Sequence, residues 1–341
     1  MGGKLPAVLA VARNAISSAT ESGEFVLVAC SGGADSLALA AAAAFLNGKG
    51  KLRVGAVIVD HGMQRDSSAV AKRAAEQCTV LGLAPVLVLP VAVPRDSEEA
   101  ARNARYNAFE RALEDTGATR ILLGHTLDDQ AEQVLLGLAR GSGTLSLAGM
   151  PAARGAYLRP LLSLDRAGIE QICAHEGLEY WVDPTNAEPK YLRNRVRNQL
   201  MPVLKKILGN GVASSLARTA QLARQDATYL DELAGKELER LKEAVAPNIL
   251  MLSIPALRQM PDALRSRMLR AAVMSLGAPG PTFERLAALD ALLFESKSAG
   301  PIQLEGHVEV FRIRKNHSVH GSAAALKFIK NTATSVLKHE N

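Results

Sequence analysis

Two stretches of the chain, with a basic segment beyond them, hold residue types whose spacing suits chemistry. The first stretch is Ser31-Gly32-Gly33-Ala34-Asp35-Ser36. Consecutive glycines permit φ > 0 and let the backbone approach a ligand closely. Backbone N–H groups there, running into a helix N-terminus, form a nest for an anion. The serine hydroxyls add donors, and Asp35 adds a carboxylate suited to holding Mg²⁺ against phosphates. A serine-capped strand-to-helix turn is the plain alternative. The loop lacks the closing Gly-Lys-Ser/Thr of a Walker A motif and the G-x-G-x-x-G of dinucleotide folds.

The second stretch is Gly124-His125-Thr126-Leu127-Asp128-Asp129-Gln130-Ala131-Glu132. On a helix, Asp129 and Glu132 are three apart and Asp128 and Glu132 four apart, so both pairs are neighbours. Acids in a first turn complement the helix dipole, which leaves unexplained why His125 precedes them. Grouped carboxylates beside a histidine shift one another's proton affinities and can bind an ammonium group or a metal. Basic residues gather later: Arg193, Arg195, Arg197, Lys205, Lys206, Arg218 and Arg224 fall between positions 191 and 230, against the single acid Asp226. Such a stretch suits phosphate contacts that position a nucleic acid without reading its sequence, or the solvated face of a helix.

The elements that must position these groups alternate in the first half. Phe25–Cys30 is a continuous apolar run, the pattern of a strand buried on both faces. An alanine-rich helix over Ser36–Asn47 follows, then a strand over Leu52–Val59 that ends at Asp60-His61, a helix over Ser67–Leu81 and a strand over Pro85–Val93. Ser97, with Glu98 and Glu99 in the first turn, starts a helix that runs to Asp115. A strand at Arg120–Leu123 and a helix at Leu127–Ala139 complete the series. Strands separated by helices imply right-handed crossovers and an α/β, doubly wound, mostly parallel sheet. Such sheets bind ligands beyond the carboxyl ends of their strands. Ser31–Ser36, Asp60-His61 and His125–Asp129 all sit there.

The second half loses this alternation. Apolar residues from Leu216 to Leu241 recur every three or four positions, which predicts one long amphipathic helix. Further helices are expected over Pro261–Met274 and Thr282–Leu293, and a late strand over His307–Arg314. Gly209-Asn210-Gly211 interrupts the pattern and sets the expected boundary, giving residues 1–208 and a smaller, mainly helical domain over 209–341.

Composition narrows the classes. Hydrophobic residues make up 48% of the 341, enough for a sizeable core, and aromatics only 4%, which favours a helix-rich α/β chain over an all-β one. A net charge of +6 is compatible with a nucleic-acid partner. Cys30, Cys78 and Cys173 are odd in number and scattered, so neither a disulfide framework nor a zinc knuckle is indicated, and a reducing cytoplasm is expected. Leu5–Ala12 and Leu37–Leu46 are too short to span a bilayer, so no membrane partner is expected.

The Ser31–Ser36 loop resembles the SGGxDS loop of the PP-loop ATP pyrophosphatases, and Asp60-His61 resembles their second station near the adenine or the metal. Within that group the chain is similar to the tRNA(Ile)-lysidine synthetase family. Its GH-x-x-DD-x-x-E-T segment and R-G-S-G match His125, Asp128, Asp129, Glu132 and Arg140–Gly143, except that Gln133 stands where threonine is usual. The family's E-x-x-A-R-x-x-R-Y helix matches Glu98–Tyr106, with Arg102 and Arg105 on one face. Arg159-Pro160-Leu161-Leu162, Asp183-Pro184-Thr185-Asn186 and an R-N-x-x-R element at Arg193, Asn194 and Arg197 follow in order. The likeness covers residues 24–205.

The resemblance implies an adenine nucleotide alpha hydrolase-like fold and a carbon–nitrogen ligase that uses ATP, Mg²⁺, free L-lysine and a CAU-anticodon tRNA(Ile). It puts ATP on Ser31, Gly32, Gly33, Ala34, Asp35, Ser36, Asp60 and His61, with Mg²⁺ at Asp35. Asp35, His125, Asp129 and Glu132 are the expected catalytic residues; Arg102, Arg105, Asp128, Arg193, Asn194 and Arg197 are expected to meet substrate or tRNA. No stable protein partner is expected, with a homodimer left open. Two rivals stand beside this: a tRNA thiolase, which needs thiols near the site, and a non-catalytic RNA-binding protein, which would have lost Asp35 or the acidic cluster.

Overall fold

The structure is a computed structural model that describes residues 6–62, 66–92, 98–141, 143–294, 300–313 and 324–331. Val93 and Ser97 of the expected elements, Ser142 of the Arg140–Gly143 turn, Arg314 and residues 332–341 lie outside the described residues. Two compact units are present: one holds the chain up to Ala139 and Gly149–Ala220, the other Arg140–Ala148 and the chain from Gln221 onward.

The first unit follows the alternation read from the sequence: α1 (Ala7–Ala19), β1 (Phe25–Ala29), α2 (Ala34–Gly48), β2 (Arg53–Asp60), α3 (Ser67–Val80), β3 (Val86–Pro90), α4 (Glu98–Thr116), β4 (Arg120–Leu123) and α5 (Leu127–Arg140). After α6 (Thr144–Leu147), which belongs to the second unit, come β5 (Ala153–Arg154), β6 (Tyr157–Leu158), α7 (Arg166–Glu176), α8 (Leu192–Arg195), a π-helical turn over Val196–Leu200, and α9 (Met201–Leu208). The sheet order is β3-β2-β1-β4-β6-β5, parallel except for β5. The chain therefore reverses its direction of winding between β1 and β4, the place where open α/β sheets bind ligands.

Both faces of the sheet are covered, which is why β1 reads as one apolar run. On one side Val26, Val28 and Ile58 pack with α1, α2 and α7, where Ala38, Ala40, Ala42 and Ala43 are fully buried. On the other, Leu27, Val57 and Ile121 pack against Phe109 and Ala112 of α4. A smaller core joins Ala131 and Leu136 of α5 to Val196 and Met201, so the α8–α9 segment is fastened along α5.

The Gly209–Gly211 break lies between α9 and α10 (Val212–Leu241), and the two units divide within α10, near Ala220. The second unit is not built of helices alone. Beside α11 (Ile254–Arg258), α12 (Asp262–Ser275) and α13 (Phe283–Phe294), strands β7 (Glu243–Ala246), β8 (Ile249–Ser253), β9 (Ile302–Leu304), β10 (Val308–Ile313) and β11 (Ala325–Lys330) form an antiparallel sheet ordered β7-β8-β11-β10-β9. Leu250, Leu252, Val308, Val310, Leu326 and Phe328 turn one face of it onto the helices. These strands were not expected, apart from β10, because each is short and its apolar residues carry no run longer than the helices around it. Among the described residues no helix is long and apolar enough to cross a membrane.

Candidate active site

The loop between β1 and α2 is held in shape by its own side chains. Gly32 takes φ +80°, and Gly33 begins α2 in an extended conformation. The Ser36 hydroxyl accepts from the Ser31 N–H at 3.1 Å and donates to the Gly33 carbonyl at 2.9 Å, which closes the bend. From behind, the Trp181 N–H donates to the Gly32 carbonyl at 2.9 Å. Gly124, just past β4, lets a second loop touch the first: a Cβ there would lie 3.0 Å from the carbonyl carbon and oxygen of Asp35. The two chemistry-bearing stretches are therefore in van der Waals contact through their backbones.

They share one cavity of about 700 Å³, whose lining includes Ser31, Asp35, His61, His125, Arg166 and Arg197. That is the size range of sites for drug-sized ligands. Burial raises the Asp35 carboxyl to about 6, and the negative charge of Asp129 adds to this, while Arg166 and Arg197 oppose it. Asp60, the last residue of β2, accepts from Ser68 Oγ at 2.7 Å and from the Gly62 N–H at 3.1 Å; the Ser68 bond chiefly lowers its proton affinity. His61 Nε2 accepts from Arg105 Nε at 3.4 Å. Burial, reinforced by the Arg105 charge, lowers its pKa and keeps it neutral at pH 7.

Asp129 serves two partners. Its Oδ2 accepts from the N–H and the hydroxyl of Thr126 at 2.9 and 3.0 Å, the carboxylate half of a capping box at the start of α5. Its Oδ1 accepts from Arg197 Nη2 at 2.7 Å. Glu132, 1% exposed, accepts from Arg197 Nε at 2.6 Å, Arg197 Nη2 at 3.1 Å and Arg193 Nε at 3.0 Å. Although burial acts to raise the Asp129 pKa, Arg197 and Arg193 outweigh it and the carboxyl lies below its ordinary range. Asp128 faces elsewhere: its oxygens accept from the Arg166 N–H at 2.9 Å and from Lys205 Nζ at 3.2 Å.

His125 stands beside this cluster. Burial pushes its pKa down to about 4 against the pull of Asp129, and Arg159, Arg193 and Arg102 push the same way as burial. Its buried Nδ1 has no hydrogen-bond partner among the described residues. His125 also lines the cavity, and a neutral imidazole there is suited to donate to or accept from a bound group.

The structure thus brings Ser31, Gly33, Ala34, Asp35, Ser36, Asp60, His61, Arg105, His125 and Arg197 to one cavity, with Asp129 and Glu132 tied to Arg197 and Arg193 tied to Glu132. It turns others to bracing. Asn194 Nδ2 donates to the Thr185 and Glu188 carbonyls at 2.8 and 3.0 Å, so it shapes the loop that follows Asp183. Exposed Arg102 lies over the Tyr106 ring, 5.2 Å from its centroid. Arg166 was not singled out from the sequence: its Nη1 donates to Asp35 Oδ1 at 3.4 Å and its Nε to Glu170 at 2.8 Å. It opens α7 just after the N-cap Asp165, and nothing local in the sequence connects it with Asp35, 131 positions away.

Mg²⁺ fits this set in one way. Among the described residues no three His, Cys, Asp or Glu side chains gather as an all-protein cage. Asp35 is a single, incompletely neutralised carboxylate at the Ser31–Ser36 loop, and Mg²⁺ is commonly held by one or two carboxylates with the remaining positions taken by phosphates and water. The three cysteines are buried in the core, with Cys30, Cys78 and Cys173 at most 2% exposed.

Comparison with known proteins gives the same picture. A family described as the PP-loop domain matches residues 9–204, and one described as the TilS substrate binding domain matches residues 252–317. A protein of Leifsonia xyli named tRNA(Ile)-lysidine synthase is 48% identical over 286 residues, 83% of this chain and 86% of its own. One of the same name from Thermobifida fusca is 43% identical over 308 residues, 88% of this chain and 94% of its own. Among solved structures, the U34-tRNA thiolase NcsA of Methanococcus maripaludis, with its [4Fe-4S] cluster, superposes with a TM-score of 0.52 at 17% identity. It covers 64% of this chain and 78% of that one, a likeness of fold alone.

Proposed function

Because the chain belongs to the tRNA(Ile)-lysidine synthase family, we propose that this cavity activates the wobble cytidine of a CAU-anticodon tRNA(Ile) with ATP and then joins free L-lysine to it. The observation that carries the proposal is the backbone contact between the Ser31–Ser36 loop and the His125–Glu132 segment at the ends of neighbouring strands. A phosphate site and an amine site must adjoin in a reaction of this kind.

In the first step the cytosine O2 attacks the α-phosphorus, the bond to the bridging oxygen breaks, and pyrophosphate leaves with that electron pair. The N–H groups of Ser31–Ser36 hold the phosphates and stabilise the charge that grows on them. Asp35 would hold Mg²⁺, which when bound neutralises phosphate charge. Neutral His125 presents a ring nitrogen to the base or the α-phosphate. In the second step the lysine ε-amine attacks carbon 2, and AMP departs with the former O2. An ammonium of pKa about 10.4 must first lose a proton. Asp129 and Glu132 hold the ammonium and one of them accepts that proton. Arg193 and Arg197, with Arg105 at the rim, meet phosphates of the tRNA or of the adenylated intermediate. The second unit, which contains the residues matched to a substrate-binding family, carries the tRNA beyond the anticodon.

The test is incubation of the purified protein with ATP, radiolabelled lysine and tRNA(Ile), followed by nucleoside analysis. Label in a modified cytidine, with one pyrophosphate and one AMP released per lysine, is expected. Pyrophosphate release without tRNA, or no labelled nucleoside, would reject the assignment.

A further inference from the structure

The acids assigned above to the amine are already occupied. Glu132 accepts three hydrogen bonds through its two oxygens, all from guanidinium groups, and Asp129 Oδ1 accepts from Arg197. Two carboxylates face two guanidiniums, so their charges cancel. An ammonium arriving here would meet two like charges and would leave the buried cluster with one uncompensated positive charge.

A phosphate reverses this balance. It offers guanidinium groups a fork-shaped oxygen partner, as a carboxylate does, and it brings the negative charge that an ammonium then offsets. Arg197 is placed for the exchange, since it lines the same cavity as Ser31 and Asp35 and its charge is felt at Asp35. It also sits in the π-helical turn Val196–Leu200. Pro202 follows that turn and cannot donate to the carbonyl four residues back, at Asn198. Single π turns recur at functional sites.

We infer that Arg193 and Arg197 are positioning residues that keep Asp129 and Glu132 closed to an amine until nucleotide phosphates draw the guanidiniums away, so that lysine binds after ATP. The inference rests on the reading of Asp129 and Glu132 as the amine site. An amine then binds the nucleotide-free protein only through the small fraction in which the arginines have let go, and its apparent affinity is reduced by that fraction.

Titration calorimetry of the full chain with L-lysine tests this, first alone and then with Mg²⁺ and the non-cleavable α,β-methylene analogue of ATP. Lysine affinity is expected to rise at least about tenfold with the analogue. Affinities within about twofold of each other would overturn the inference. In Arg197→Gln, lysine is expected to bind without nucleotide at least about tenfold more tightly than in the parent, and a folded variant with no gain would also overturn it. The parent comparison stands by itself should that variant fail to fold. Two further measurements separate the premises: lysine binding unchanged in Glu132→Gln would show that the amine sits elsewhere, which removes the inference. Nucleotide-dependent lysine binding without label transfer to tRNA would reject the proposed reaction and leave the order of binding intact.

Discussion

Among the described residues each unit holds a buried arginine–carboxylate network, and these two networks differ in their surroundings. In the second unit, Arg265 is 5% exposed and donates to Asp290 at 2.6 Å, Asp262 at 2.8 Å and the Met260 carbonyl at 2.9 Å, with its guanidinium near the Phe294 ring. It ties α12 to α13 and has every direction filled. In the first unit, Arg193 and Arg197 grip Asp129 and Glu132 just as closely, yet Arg197 borders a cavity that is also lined by the loop at Ser31 and Asp35 and by a neutral histidine. An ion pair therefore marks a site only when it stands beside space and beside groups whose proton affinities have been displaced.

That contrast can be broken first in activity, then in affinity and then in stability. Glu132→Ala should reduce lysidine formation about 100-fold or more while nucleotide binding stays within about threefold; undiminished turnover would place the first network with the second, as mere scaffolding. Gly124→Ala drives a Cβ against the Asp35 backbone, and nucleotide affinity measured by calorimetry should fall about tenfold, from a strain of about 1–3 kcal/mol. A loop that bound nucleotide as before would show that the two stretches act separately. Arg265→Ala should do the converse, lowering unfolding stability in urea by about 2–3 kcal/mol, with the turnover of the folded protein unchanged. The figure is at the low end because Asp262 is largely in solvent.

A further effect is in the pH dependence of stability. His125 has a pKa of about 4 in the folded chain against 6.5 when unfolded. Between those values the unfolded chain takes up a proton that the folded one refuses, so stability declines as pH falls from 6.5 towards 4. His125→Asn should flatten that part of the urea-denaturation profile by about 1–3 kcal/mol. An unaltered slope would mean that the imidazole is not desolvated.

In the sheet of the first unit β1 to β4 were legible because each is a short apolar run bracketed by helical periodicity, as at Phe25–Ala29 and Arg120–Leu123, whereas the two-residue β5 and β6 carry no such run and were not expected. The loop at Ser31–Ser36 was legible because glycine and serine there have a direct backbone consequence. Partners far apart in sequence were not: the Arg166–Asp35 pair and the grip of Arg197 on Glu132 span 131 and 65 positions, and no local pattern encodes which arginine on a helix turns inward. The bracing by Asn194 was hidden for the same reason, since an amide that braces a loop carbonyl reads in sequence like one that meets a ligand. In the second unit β8 and β11 pair across more than seventy residues, a match set by the fold and not by either strand's own composition.

The adjacency of β1 and β4, paired from Val26↔Arg120 to Ala29↔Leu123, acts as a ruler. Neighbouring strands lie about 4.8 Å apart, so the loops that leave their ends begin within one strand pitch of each other. In the proposed reaction the gap between phosphorus chemistry and amine chemistry is consequently set by backbone hydrogen bonding, and side chains on either loop that respect the close approach at Gly124 can vary without altering it.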